Sequence, residues 1–143
     1  MNYQRPLHRP LRPKTFSVGT HQAKITKVQK KKSRKNNDMF VICLEGSNGE
    51  RGVFYLTFGN EYTDENLNFL IASIEDNGVD IPDLDFGFNK DTFLFLHNKD
   101  VFIKVEMKPF NGETKEAVTQ FLTLDEFENS IPLEEINTTW ENE

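Results

Sequence analysis

Turn-forming residues interrupt the chain between residues 15 and 122 so often that only one segment is left with the periodicity of a long helix. Asn36, Asn37 and Asp38 mark one turn, residues 46–49 (GSNG) a second, Gly59 and Asn60 a third, and Asn111 with Gly112 a fourth. Such residues supply the positive φ angles or the side-chain-to-backbone hydrogen bonds that tight turns require. From Thr15 to Val28 (TFSVGTHQAKITKV) apolar and β-branched residues alternate roughly with polar ones. In an extended strand this sets Ala23 and Ile25 on one face and Lys24 and Thr26 on the other. Residues 39–44 (MFVICL) and 52–58 (GVFYLTF) are two further strands, joined as an antiparallel hairpin. Residues 101–108 (VFIKVEMK) and 116–122 form a second hairpin around Asn111 and Gly112.

The long segment is different. Leu67, Leu70, Ile71 and Ile74 recur at helical spacing, with Asp64 and Glu65 where a helix dipole favours acids. Thr63 is the expected N-cap and Gly78 the expected stop. Residues 91–96 (DTFLFL) fit either one or two helical turns or a short strand. The resulting order, β-β-β-α-β-β, is the connectivity of an OB-fold, a small, partly open Greek-key barrel. The expectation is therefore a mainly-β, five-stranded OB-fold-like barrel with one helix, spanning residues 15–127.

Charge is distributed unevenly along this frame. The net charge is -6, yet residues 1–37 hold 11 Lys or Arg and no acid, which leaves six bases against all 23 acids in the remainder. Residues 1–14 (MNYQRPLHRPLRPK) carry three prolines, each after an arginine, and are expected to form an extended, mobile arm. Residues 128–143 are expected to be a loose acidic tail, since from Thr123 onward there are seven acids and no bases. A second basic concentration, Lys30 to Lys35, is too polar for a core and reads as a loop between the first two strands.

OB-folds bind oligonucleotides or oligosaccharides on strands 2 and 3, between the loop joining strands 1 and 2 and the loop joining strands 4 and 5. Those places hold bases and rings here. Lys24, Lys27, Lys30, Lys31, Lys32, Arg34, Lys35, Arg51 and Lys108 are the candidates for phosphate contact, and Tyr55 and Phe110 for base stacking. Bases release counterions from a polyanion, while rings supply stacking that tolerates any sequence. Phe54 and Phe58 share parity with Leu56 and belong to the core, as does Phe40 with Ile42 and Leu44. Tyr55 has the opposite parity and a polar tip.

Other chemistries leave weaker traces. Pro82-Asp83 with Glu106 and Lys108 matches the loose spelling of a Mg²⁺-dependent nuclease site, but a strand follows where that fold requires a helix. His8, His21 and His97 lie far apart, and the single Cys43 sits mid-strand as a small buried hydrophobe, so no zinc site is expected. Asp80, Asp83 and Asp85 lack the spacing of a calcium loop and read as solvated. No cofactor motif is present, and no enzymatic activity is expected. A second class of reading stays open, in which the acidic body serves as a protein-interaction module that inhibits or recruits a host factor.

Two stretches carry a likeness. Residues 54–63 (FYLTFGNEYT), leading into the helix, and residues 99–108 (KDVFIKVEMK) resemble small bacteriophage and prophage proteins of Gram-positive bacteria. Those are described as single-stranded-DNA-binding or recombination-associated. The resemblance covers about residues 15–127 and implies an OB-fold acting beside replication or recombination proteins, a partner the acidic tail could recruit. The expected ligand is single-stranded nucleic acid, DNA favoured over RNA, with self-association open. No apolar run approaches the roughly 20 residues of a membrane span, and the N-terminus has no apolar signal core. The expected place is the bacterial cytoplasm.

Overall fold

The computed structural model describes residues 1–5 and 14–130. Met1 to Arg5 are exposed and without regular structure. The remainder of the expected arm, residues 6–13, and residues 131–143 of the expected tail lie outside the described residues.

Six strands and three helices follow one another: β1 (Lys14–Thr15), β2 (Gly19–Lys32), β3 (Asp38–Glu45), β4 (Glu50–Thr57), α1 (Thr63–Asp76), α2 (Lys90–Leu96), β5 (Asp100–Phe110), β6 (Glu113–Leu122) and α3 (Leu124–Asn129). They form one sheet in the order β1-β4-β3-β2-β5-β6, antiparallel except for the β1–β4 pair. The sheet curls into a nearly closed barrel. β4, which β1 pairs only at Glu50 and Arg51, and the end strand β6 meet through side chains: the Phe54 and Phe121 rings stand edge to face with centroids 4.8 Å apart.

The inner face follows the alternation of the strands. Ile25, Ile42, Leu56 and Ile103 are completely buried, with Phe40, Leu44 and Val105 almost so. A bulge at Thr26, between Ile25 and Lys27 in the β2–β3 register, inserts one residue and returns Val28 to the inside. Helix α1 lays Leu67, Leu70 and Ile74 on this core. The completely buried Ser73 joins it to the sheet, since its hydroxyl accepts from the Phe102 amide at 2.7 Å.

The strand count corrects the expectation of five. β1 is two residues long and has no periodicity to read; it exists because Phe16, 2 % exposed, turns into the barrel end. A Cβ on Gly46 would lie 2.7 Å from the Phe16 ring, and one on Gly52 would lie 3.0 Å from both that ring and Val118. The two glycines therefore make the socket in which the ring sits.

The helix count also differs from one. Residues 90–96 form α2, capped by the Asn89 side chain accepting from the Thr92 amide at 2.8 Å. Residues 124–129 form α3, opened by a Thr123–Glu126 capping box, with Phe127 stacked on Phe102 at 4.6 Å. The chain after Thr123 thus begins as a docked helix. At α1, Thr63 is not the N-cap but the first helical residue; its hydroxyl donates to the Thr57 carbonyl at 2.8 Å. Among the described residues no helix is long and apolar enough to cross a membrane.

Candidate nucleic-acid interface

The largest revision concerns the basic run. Lys30, Lys31 and Lys32 belong to β2, and only residues 33–37 turn, closed by hydrogen bonds between Ser33 and Asn37 and by Asn36 at φ 64°. Composition pointed to a loop because it describes the side chains; the ladder with β3 continues regardless, pairing Lys30 with Phe40, Lys31 with Met39 and Lys32 with Asp38. Strand geometry then divides the lysines. Lys30 and Lys32 fall on the row of Phe40 and Ile42, beyond the barrel end, whereas Lys27 and Lys31 fall on the outer face. Lys32 is held by Asp38 at 2.6 Å, and the Lys30 ammonium lies 5.8 Å from the Phe88 ring centre. Arg34 and Lys35 are exposed in the turn.

Across β2, β3 and β4 the outer face reads in rows. Lys31 faces Met39 and Thr57; Gln29 faces Val41 and Tyr55; Lys27 faces Cys43 and Val53. Met39 and Val41 are buried beneath their neighbours, while Tyr55 is 61 % exposed. Cys43, expected to be buried, is half-buried on this outer face, because its parity is opposite to that of Ile42 and Leu44. The face is therefore an apolar centre with a raised phenol, flanked by Lys27 and Lys31 on one side and Arg51 near the other edge.

Lys24 stands one row further along the same outer face, in the row Lys24, Glu45 and Arg51. It pairs in register with Glu45 on one side and Asp100 on the other, and all three line an open polar groove of about 540 Å³. Two carboxylates at that position leave little net positive field for a phosphate.

Beyond the edge of β4 the outer face continues into a groove of about 380 Å³ that reaches the β5–β6 hairpin. Arg51 and Tyr55 line one side, Lys108 and Phe110 the other. Four of the sequence-derived candidates thus converge. The hairpin is shaped for this by Asn111 and Gly112, both at positive φ (50° and 81°), the signature of a tight two-residue turn. Phe110 is 50 % exposed, and the Lys115 ammonium stands 5.1 Å from its ring centre. Lys115 was not among the candidates. Its signal lay in the pairing itself, since a turn at Asn111 and Gly112 sets Lys115 directly across from Lys108.

The residues of the nuclease spelling stand differently. Asp83 is exposed in the loop between α1 and α2. Glu106 accepts the Thr119 hydroxyl at 2.6 Å; that bond holds its carboxyl below the usual range, aided by Lys104 and Lys108 and opposed by desolvation. Among the described residues no three His, Cys, Asp or Glu side chains gather as a metal-holding group. No protein-family model matches the chain, and no curated protein matches it.

Proposed function

We propose that this protein is a non-catalytic single-stranded-DNA-binding protein of the OB-fold type, acting in phage-type DNA replication or recombination. The observation that carries the reading is the convergence of Arg51, Tyr55, Lys108 and Phe110 on one groove, continuous with the Lys27 and Lys31 face. The order β4-β3-β2-β5-β6, with a helix between the third and fourth of these strands in the chain, supports the OB-fold assignment. In that fold the outer face of β3 and β4, flanked by the β2–β3 and β5–β6 hairpins, is where an oligonucleotide lies.

The chemistry suits an unpaired strand. Four exposed bases supply sequence-independent phosphate attraction, and the two exposed rings need bases freed from a partner. DNA is favoured over RNA through the phage resemblance. The acidic C-terminal residues fit recruitment of a replication or recombination partner.

Fluorescence anisotropy of a labelled single-stranded oligonucleotide tests the proposal, with unlabelled duplex as competitor at two salt concentrations. Salt-sensitive binding that duplex does not compete away supports it. Absence of binding at low salt refutes it and moves attention to the acidic body as a protein-binding surface.

A further inference from the structure

The groove between β4 and the β5–β6 hairpin differs from the open face beside it. Val53, Pro109 and Val118 line it together with the two exposed rings, Tyr55 from the sheet and Phe110 from the hairpin. Three cations, Arg51, Lys108 and Lys115, stand around it against one carboxylate, Glu116. At about 380 Å³ it lies at the lower end of the roughly 300–1,000 Å³ typical of small-ligand sites. Phe110 already has a cation near its ring in Lys115, which leaves its other side to a second partner.

Apolar lining beside two exposed rings, with three cations in the same lining, matches one planar heterocycle attached to flanking phosphates. We infer that this groove is a slot for a single unpaired nucleobase, with Phe110 as its stacking wall and Lys108 and Lys115 holding the adjoining phosphates. The inference rests on the single-strand reading above and adds a discrete position to it. A strand crossing Lys31, Lys27 and Arg51 is held by its backbone, and at the slot by one base. A paired base cannot enter, so the slot is also where duplex is rejected.

The test uses the full chain and an oligomer of about 12 thymidines, within the range of single-domain site sizes, carrying one abasic position moved along its length. The expected result is a dip at one place in the scan, with affinity falling between about five- and 150-fold, the range of one lost aromatic stack. Phe110→Ala should lose the same factor, flatten the scan and keep the salt slope, and Phe110→Tyr should restore the dip. Phe110 is a half-exposed residue at a hairpin tip, so these variants are expected to retain the far-ultraviolet spectrum of the parent.

A flat scan by a parent protein that still binds the oligomer in a salt-sensitive way overturns the slot and leaves the single-strand reading standing. No oligomer binding at all overturns both. A flat scan together with binding of an acidic, aromatic peptide that Phe110→Ala abolishes assigns the groove to a protein partner and overturns the slot.

Discussion

The division of the basic strand into two rows makes a quantitative prediction. Lys27, Lys31 and Arg51 share the outer face; Arg51 pairs in register with Glu45, yet none of the three makes an ion pair within 4.0 Å among the described residues. Lys30 and Lys32 belong to the other row, with Lys32 held by Asp38. A single strand releases about 0.7 counterion per phosphate neutralised, so the triple variant Lys27→Ala/Lys31→Ala/Arg51→Ala should flatten the slope of log K against log salt by about two units. Between about 50 and 200 mM salt that difference amounts to roughly a 20-fold smaller loss of affinity than the parent suffers. The double variant Lys30→Ala/Lys32→Ala removes two charges against three and should leave the slope near the parent's. Anisotropy titrations at four or five salt concentrations read both slopes directly. Flattening in proportion to the charge removed, two parts to three, would show that the strand is attracted by a diffuse cloud of charge, and the assignment of an ordered face would fall.

Three further outcomes follow from the packing. Ser73→Ala removes an acceptor from the Phe102 amide inside the α1–β5 contact and should cost about 1–3 kcal/mol in chemical denaturation; a loss below about 0.5 kcal/mol would mean that the amide finds another partner. Gly52→Ala places a methyl 3.0 Å from Phe16 and Val118 and should destabilise by about 1–3 kcal/mol, with Gly52→Ala/Phe16→Leu recovering part of it if the clash is with that ring. Thr119→Val removes the hydroxyl that lowers the Glu106 carboxyl, so the Glu106 titration followed by NMR should move upward. The sign for stability is that of a depressed carboxylate: its contribution is present above the unfolded-state value and is lost as pH falls through the folded one. An unmoved Glu106 titration would assign the lowering to Lys104 and Lys108 instead.

The parts of this fold that were legible were those written in parity. The opposite environments of Phe54 and Tyr55, adjacent in sequence, follow from alternation alone, and so do the inward Ala23 and Ile25. Helix α1 declared itself by Leu67, Leu70 and Ile74. What stayed hidden depends on partners distant in the chain. β1 has no pattern of its own and is fixed by a ring seated on Gly46 and Gly52. The strand character of Lys30 to Lys32 is imposed by β3, against the local composition. The Thr26 bulge shifts the parity of everything after it in β2, which is why Lys27, not Thr26, stands opposite Cys43. α3 was missed, because the run of acids after Thr123 read as a loose tail although Thr123 and Glu126 have the spacing of a capping box. At the candidate site, Tyr55, Arg51, Lys108 and Phe110 were legible as residue types, whereas their convergence on one groove required the curl of the sheet. Lys24 was legible as an outward base of the first long strand, but its flanking carboxylates come from β3 and β5.

The seam between β4 and β6 has a consequence for how the molecule assembles. Phe54 and Phe121 come from opposite halves of the chain and meet by ring contact, without the backbone ladder that joins β2 to β5 across a still longer loop, so the entropy of their closure is offset by side-chain contact alone. The β2–β3–β4 meander and the β5–β6 hairpin can each form from neighbours, and joining them is the late event. Weakening the seam, as in Phe121→Leu, should then mainly hasten unfolding and leave the folding rate nearly unchanged. Because the same seam borders the groove, its opening would widen the groove while the two hairpins stay intact, coupling a late-formed contact to the proposed binding surface.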